Sequence, residues 1–481
     1  MSGELDIYRE TKKKIDKVSP SFCLAKWQQV TLHLHNGHTH SCHHPMTHKI
    51  PLEELKDNPS ALHNTQYKKS QRKLMMEGHR PSECQYCWNV EDLKGEHFSD
   101  RTIKSSNELW AAPYFDDVID AGWEGNIIPR AVEVSFGNAC NFKCTYCSPI
   151  YSSKWQQEIV EKGPYPTSQK FNNLHWIEQT DRKPFLERED NPYVDAFWRW
   201  WPELRTKLTT FRITGGEPLM NKNTFQVMDD LIDNPNTEMA LDFNTNLCVP
   251  DKLVKQFVEK AKVLTLENKV ESVKIHTSVD THGAQAEWLR TGLNYQQWLD
   301  NMNYILTELP TVKTAIMCTT NALSLPKFKY MLRDLYKLKV DHYLDDRAPD
   351  AGGNGSQYNR RVSTAITMAI LRHPHHLNAQ ILPKEQYYWD FLKDARDYMA
   401  SKEEGKHGNK HYQGFFDWEI DTMDRFIDYT KSTVQERDFN LETARRDFRI
   451  FVDESDKRNG TNFLKTFPEY ADFYHSCGAL L

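Results

Sequence analysis

Three cysteines, Cys140, Cys144 and Cys147, stand in the run Asn-Ala-Cys140-Asn-Phe-Lys-Cys144-Thr-Tyr-Cys147-Ser-Pro. Three thiols this close cannot all be ordinary core residues. As thiolates they can hold a four-iron, four-sulfur cubane by three corners and leave the fourth iron open to chemistry. The competing use of such spacing is a zinc knuckle. The segment ahead of them, Ala131-Val-Glu-Val-Ser-Phe136, reads as a strand ending at Gly137. The thiols therefore fall in a loop at a strand's C-terminal end, where barrel enzymes carry their active sites.

Further residues able to bind a small molecule follow at intervals. Phe211-Arg-Ile-Thr-Gly215-Gly216-Glu217-Pro218 is a short strand running into a turn whose glycines permit close backbone approach. The next two strands end in side-chain amides (Asn244, Asn246) and in a hydroxyl and a carboxylate (Ser278, Asp280). Ala286-Glu-Trp-Leu-Arg290-Thr-Gly292 comes next. Taken singly, these are turn caps and a helix-surface arginine; in this order they form a set.

The CxxxCxxC loop with Tyr146 before its last cysteine, followed one strand later by Gly-Gly-Glu-Pro, resembles the radical S-adenosylmethionine (SAM) enzymes. The resemblance implies an α/β fold, an open partial (β/α)6 barrel. It implies a catalytic [4Fe–4S] cluster on Cys140, Cys144 and Cys147 with SAM chelated to its open iron. The turn Gly215-Gly216-Glu217 would take the SAM amino group. Tyr146, Asn244, Asn246, Ser278 and Asp280 would hold the rest of the cofactor. Arg290 would meet the SAM carboxylate in a charge-assisted contact that Lys makes less well. In that family an electron from the reduced cluster cleaves SAM, and the 5′-deoxyadenosyl radical abstracts hydrogen from substrate. A flavodoxin- or ferredoxin-like electron donor is the implied partner.

The first 127 residues hold a second set: Cys23, thirteen residues, Gly37, four residues and Cys42, then Cys84-Gln-Tyr-Cys87. The opening C-x13-G-x4-C is similar to the first half of the SPASM motif, and the later C-x2-C to its next step. The remaining SPASM cysteines are absent, which suits a shortened, twitch-type domain with one auxiliary [4Fe–4S] cluster on Cys23, Cys42, Cys84 and Cys87. The resemblance extends to Cys23-Leu-Ala-Lys-Trp27 and Cys87-Trp-Asn-Val-Glu91. Zinc on the same four thiols fits the count equally, and His33, His35, His38, His40, His43 and His44 allow mixed ligation. These histidines are otherwise expected in turns and at the surface.

The elements that must position these groups alternate strand and helix, as in a parallel sheet with crossover helices. Strands are expected near 131–136, 209–214, 239–244, 273–279, 313–319 and 365–371, with an aromatic helix around 195–201. Side chains alternate faces along a strand. One face of the first four strands reads Glu133/Ser135, Arg212/Thr214, Asp242/Asn244 and Lys274/His276/Ser278; the other is apolar. The apolar face should meet helices, leaving a polar interior whose charges can pair. His276 there is either an acid–base group or a buried hydrogen-bonder.

Beyond about 381, spacings such as Phe416/Ile420/Met423/Ile427 predict a helical extension, with a break at 405–408 and a loop at 453–460. The expected domains are 1–127, 128–380 and 381–481. Cys248 and Cys477 are candidate hydrogen donors or plain buried thiols. The Gly-rich acidic stretch 345–355 reads as a surface loop or substrate lid.

At 481 residues, 39% hydrophobic and 12% aromatic, the chain suits a globular enzyme rather than a disordered protein. A net charge near −6 supplies no field for nucleic acid or membrane. Ten cysteines behind a charged N-terminus without a signal peptide's apolar core point to metal or redox chemistry in a reducing cytoplasm. The substrate expected from auxiliary-cluster relatives is a peptide or protein, with a nucleoside or sugar next. A non-catalytic zinc protein that binds a partner or RNA is the alternative class.

Overall fold

The computed structural model describes residues 2–186, 189–343, 364–409, 413–433 and 438–478. The stretch 345–355 lies outside them. Among the described residues the centre of the fold is a nine-stranded, mostly parallel sheet. The strands are β1 (Gln29–His33), β2 (His38–His40), β3 (His48–Lys49), β4 (Ala131–Ser135), β6 (Thr210–Thr214), β7 (Asn236–Thr245), β8 (Val270–Ser278), β10 (Lys313–Thr320) and β11 (Thr364–Ile370). The short β5 (Lys143–Cys144) and β9 (Arg290–Thr291) form a separate antiparallel pair.

The sheet order is β11-β10-β8-β7-β6-β4-β1-β2-β3. All six strands expected between 131 and 371 are there, parallel and in chain order. The sheet is wider than the six strands read from the sequence. β1 pairs parallel with β4, and the β2–β3 hairpin extends it. Without β1, the backbone groups of β4 would form an open edge ready to pair with another chain.

Strand parity decides the two faces. Val132, Val134, Phe211, Ile213, Leu241, Phe243, Val273 and Ile275 are at most 2% exposed and meet the crossover helices. Helix Pro192–Leu204, started by Asn191 accepting from Tyr193 N and Val194 N, lays Phe197 and Trp201 against Phe136 and Phe211. The opposite face carries a row of charges in register: Glu133, Arg212, Asp242 and Lys274. Arg212 Nε stands 4.0 Å from Glu133 Oε2 and donates to Asn244 Oδ1 at 2.9 Å. Asp242 Oδ2 pairs with His276 Nε2 at 3.2 Å. Opposite charges side by side offset part of the desolvation that each suffers on this half-buried face.

The C-terminal extension is helical, in Gln386–Ser401, Asp417–Lys431 and Leu441–Asn459. Residues 453–459, read as loop, are the last two turns of the third helix, which ends on Gly460 in the left-handed region. The polarity that suggested a loop is used in docking contacts. Asp456 accepts from Trp288 Nε1 at 3.1 Å, and Asn459 accepts from Lys143 Nζ at 2.7 Å. Among the described residues no helix is long and apolar enough to cross a membrane.

Candidate functional site

β4 delivers the chain to the cysteine loop, and the Gly-Gly-Glu-Pro turn after β6 clamps that loop from below. Gly216 N donates to Gly137 O at 3.2 Å, and Glu217 N to Ala139 O at 2.7 Å. A Cβ on Gly216 would lie 2.3 Å from Ala139 O, and one on Gly215 would meet Ser135 Oγ at 2.6 Å. Glycine is thus needed here for the turn to seat against the cysteine loop. The Glu217 carboxylate faces the fold interior, accepting from Leu219 N (3.0 Å), Thr245 Oγ1 (2.7 Å) and Asn246 N (2.6 Å). Burial pushes it up to about 7 against the pull of those three donors.

On the other side of the loop, Cys144 pairs in register with Arg290. Arg290 forks onto Asp280, Nε to Oδ2 and Nη2 to Oδ1 at 2.9 Å each, and its Nη1 stands 3.5 Å from Cys144 Sγ. Tyr146 OH and Thr319 N also donate to Asp280, at 2.7 and 2.8 Å. Asp280 is fully buried and fully engaged, so it fixes Arg290 and Tyr146 from behind.

These elements enclose a cavity of about 230 Å³. Cys140, Cys144, Cys147, Tyr146, Gly215, Gly216, Asn244, Asn246, Ser278 and Arg290 line it. The structure brings ten of the residues singled out in the sequence to one space; Glu217 and Asp280 stand behind it. Thr214, placed on the polar face by its parity with Arg212, lines it as well; Tyr151, Thr245 and Thr319 line it too and were not singled out, and nothing local marks Tyr151. Burial pushes the thiols of Cys140 and Cys144 up and that of Cys147 up to about 12. Phe142 N donates to Cys140 Sγ at 3.4 Å. Partly buried thiols with N–H donors aimed at two of the sulfurs are the donor set a metal–sulfur cluster takes up.

The second set of thiols also converges. Cys23, Cys42, Cys84 and Cys87 ring one small, partly open cavity of about 20 Å³ with Lys26, Met75, Trp88 and Arg101. Burial pushes Cys23 up, Cys84 up to about 12 and Cys87 up to about 11. Gly37 of the motif has φ +71° and lies under the Tyr193 ring, where a Cβ would sit 2.1 Å from a ring carbon. Among the described residues no three Cys, His, Asp or Glu side chains converge closely enough for a single metal ion.

The histidines are not surface residues in the main. His38 and His40 are buried in β2, and His35, in the turn between β1 and β2 as expected, is buried as well. His33 stacks on His40, and His33 and His35 both meet Tyr151. Cys248 Sγ donates to Asn294 O at 3.4 Å, and Cys477 is buried in the C-terminal core; neither lines the main cavity.

No family model matches the chain, and no curated protein matches it. Among solved structures, native anSMEcpe with bound AdoMet is similar at 17% identity and a TM-score of 0.30, covering 58% of this chain. The chain spans 61% of that protein's length.

Proposed function

We propose that this chain is a radical SAM enzyme with a [4Fe–4S] cluster on Cys140, Cys144 and Cys147 and SAM beside it. One observation carries the reading: three free thiols share a single cavity with the polar ends of β6, β7 and β8 and with the Gly215–Gly216 turn. Bound there, the cluster and SAM would supply radical chemistry for hydrogen-atom abstraction from a substrate. The chain's own residues hold and orient. The Gly215–Gly216 turn keeps the cysteine loop in place, and Arg290, fixed by Asp280, presents one remaining nitrogen toward Cys144 and the cavity. Ser278 and Asn244 offer a hydroxyl and an amide to the cofactor. The mixed-charge face below them, from Glu133 to Lys274, suits a polar substrate bearing both signs of charge. A peptide or protein side chain or Cα is the substrate we infer, and a flavodoxin- or ferredoxin-like protein the electron donor.

The N-terminal domain is proposed to carry an auxiliary [4Fe–4S] cluster on Cys23, Cys42, Cys84 and Cys87. The likeness of the Cys23, Gly37, Cys42, Cys84 and Cys87 spacing to a shortened SPASM motif supports a cluster on the four thiols, which line one common space, with a single zinc ion as the alternative.

The test is a count of iron, sulfide and zinc on protein reconstituted without oxygen, in wild type and in a Cys140/Cys144/Cys147→Ala variant. About eight irons falling to about four supports both clusters. About four irons plus one zinc, falling to zinc alone, keeps the radical chemistry and makes the N-terminal site structural. Zinc without iron in either protein overturns the enzyme.

A further inference from the structure

Asn244 and Asn246, at and just past the end of β7, both line the main cavity, but their amides are spent differently. In Asn246 both ends are taken. Its Nδ2 donates to Asn141 Oδ1 at 2.8 Å, and its Oδ1 accepts from Cys248 N at 2.9 Å. Asn141 lies between Cys140 and Cys144, so this amide ties the cysteine loop to the strand. In Asn244 one end is taken, Oδ1 accepting from Arg212 Nε at 2.9 Å. Its Nδ2 has no hydrogen-bond partner among the described residues and is not sealed from water.

Arginine only donates, and an amide has one accepting and one donating end. The contact with Arg212 therefore decides which end of Asn244 is which. Turned over, the amide would set its NH₂ against the guanidinium N–H, donor against donor. Arg212 is itself held in place by register, with Glu133 on one side and Asp242 on the other. Its Nε stands 4.0 Å from Glu133 Oε2. The hydroxyls of Ser278 and Thr319 on the same wall can turn to donate or to accept; the free end of Asn244 can only donate.

Resting on the reading of this cavity as the SAM site, we infer that Arg212 is a positioning residue: by holding the carbonyl of Asn244 it makes this point of the cavity wall a fixed hydrogen-bond donor. The wall there selects an acceptor oxygen on the bound molecule, a hydroxyl, ether or carboxylate, and disfavours an N–H group. Arg212 acts through the amide and not on the ligand. The charged row beneath the cavity gains a role beyond its own neutrality, since Glu133 and Asp242 keep Arg212 where Asn244 meets it.

The test uses the full chain reconstituted with iron and sulfide, and SAM as the probe. SAM affinity is read by equilibrium dialysis, iron by count, and stability by urea unfolding of the metal-free protein. Asn244→Asp keeps an oxygen for Arg212, now as an ion pair, and turns the donor into an acceptor. It should bind SAM about tenfold more weakly, with iron unchanged and the metal-free protein no less stable. Arg212→Met, which frees the amide to turn, should weaken SAM binding about threefold or more. Because Arg212 acts through Asn244, Arg212→Met should cost nothing further in an Asn244→Ala background. Asn244→Asp binding SAM within about threefold of the parent overturns the inference. So does a weaker affinity accompanied by lost stability, because Asn244 then serves the fold. Equal losses from Arg212→Met with and without Asn244 overturn it too, because Arg212 then acts by another route. If the parent binds no SAM, or binds it equally after Cys140/Cys144/Cys147→Ala, the reading of the cavity fails and takes the inference with it.

Discussion

Arg290 grips Asp280 with two hydrogen bonds of 2.9 Å while a third nitrogen stands 3.5 Å from the sulfur of Cys144. The pair joins the end of β8 to the cysteine loop, and its side chains are 7% and 0% exposed. Removing the carboxylate leaves a buried guanidinium unpaired, so Asp280→Asn should cost about 3–5 kcal/mol. Urea unfolding of the metal-free protein measures this, and a change under about 1 kcal/mol would contradict the role assigned to the pair. Arg290→Lys, which cannot fork, should be destabilised as well.

Gly216 is a steric prediction. Its alanine variant must move a backbone carbonyl of the cysteine loop that would sit 2.3 Å from the new Cβ. Overpacking of this kind costs about 1–3 kcal/mol. Gly216→Ala should therefore lose stability and, after reconstitution, retain less iron on Cys140, Cys144 and Cys147 while keeping its complement at the N-terminal site. Full iron at both sites would argue that the turn does not position the loop.

Ser278 lines the cavity from the end of β8. If it meets the cofactor as proposed, Ser278→Ala forfeits one neutral hydrogen bond, about 1 kcal/mol or roughly fivefold in SAM affinity, with iron content unchanged. Equilibrium dialysis of SAM against the reconstituted protein reads this directly. An unaltered affinity places the hydroxyl outside the cofactor's contacts.

The buried histidines predict acid lability. Burial holds His35 down at about 4, and its Nδ1 lies 2.8 Å from Ser135 Oγ. The fold therefore favours the neutral ring, while the unfolded chain takes up a proton near pH 6.5. That stability is complete above pH 6.5 and is lost as pH falls toward 4, about 3 kcal/mol for this residue. His38 and His40, also held at about 4, steepen the same slope. The stability gap between wild type and His35→Gln should narrow from pH 7 to pH 4; a gap constant with pH would mean that His35 takes up its proton equally in the folded and the unfolded chain.

Strand order and the cavity lining were legible because both are written in local patterns. Alternation along β4, β6, β7 and β8 separates Val134 and Phe243 from Glu133 and Asn244 whatever the rest of the chain does. The thiols and the strand-end polar groups then meet because parallel strands with crossover helices bring all their C-terminal ends to one edge of the sheet. What escaped reading depends on distant partners. β1 owes its place to β4, and Gly37 to the ring of Tyr193. Residues 453–459 looked like loop because Asp456 and Asn459 are polar, yet both are helical and anchored on Trp288 and Lys143. The turn glycines have a local use, but the surface they clear is the cysteine loop itself.

The pairing of β1 with β4 has a consequence for the order of events during synthesis. Gln29 finds Ala131 only after about a hundred further residues have been made, roughly 5–20 s at ordinary elongation rates. Cys23 and Cys42, on either side of β1, leave the ribosome first and wait with Cys84 and Cys87 for the strand that closes the sheet over them. Through that interval the four thiols are open to oxidants and to metal donors alike. The nascent chain thus meets its first chemical hazard, and its first opportunity for metal delivery, well before the residues of the main cavity have been translated.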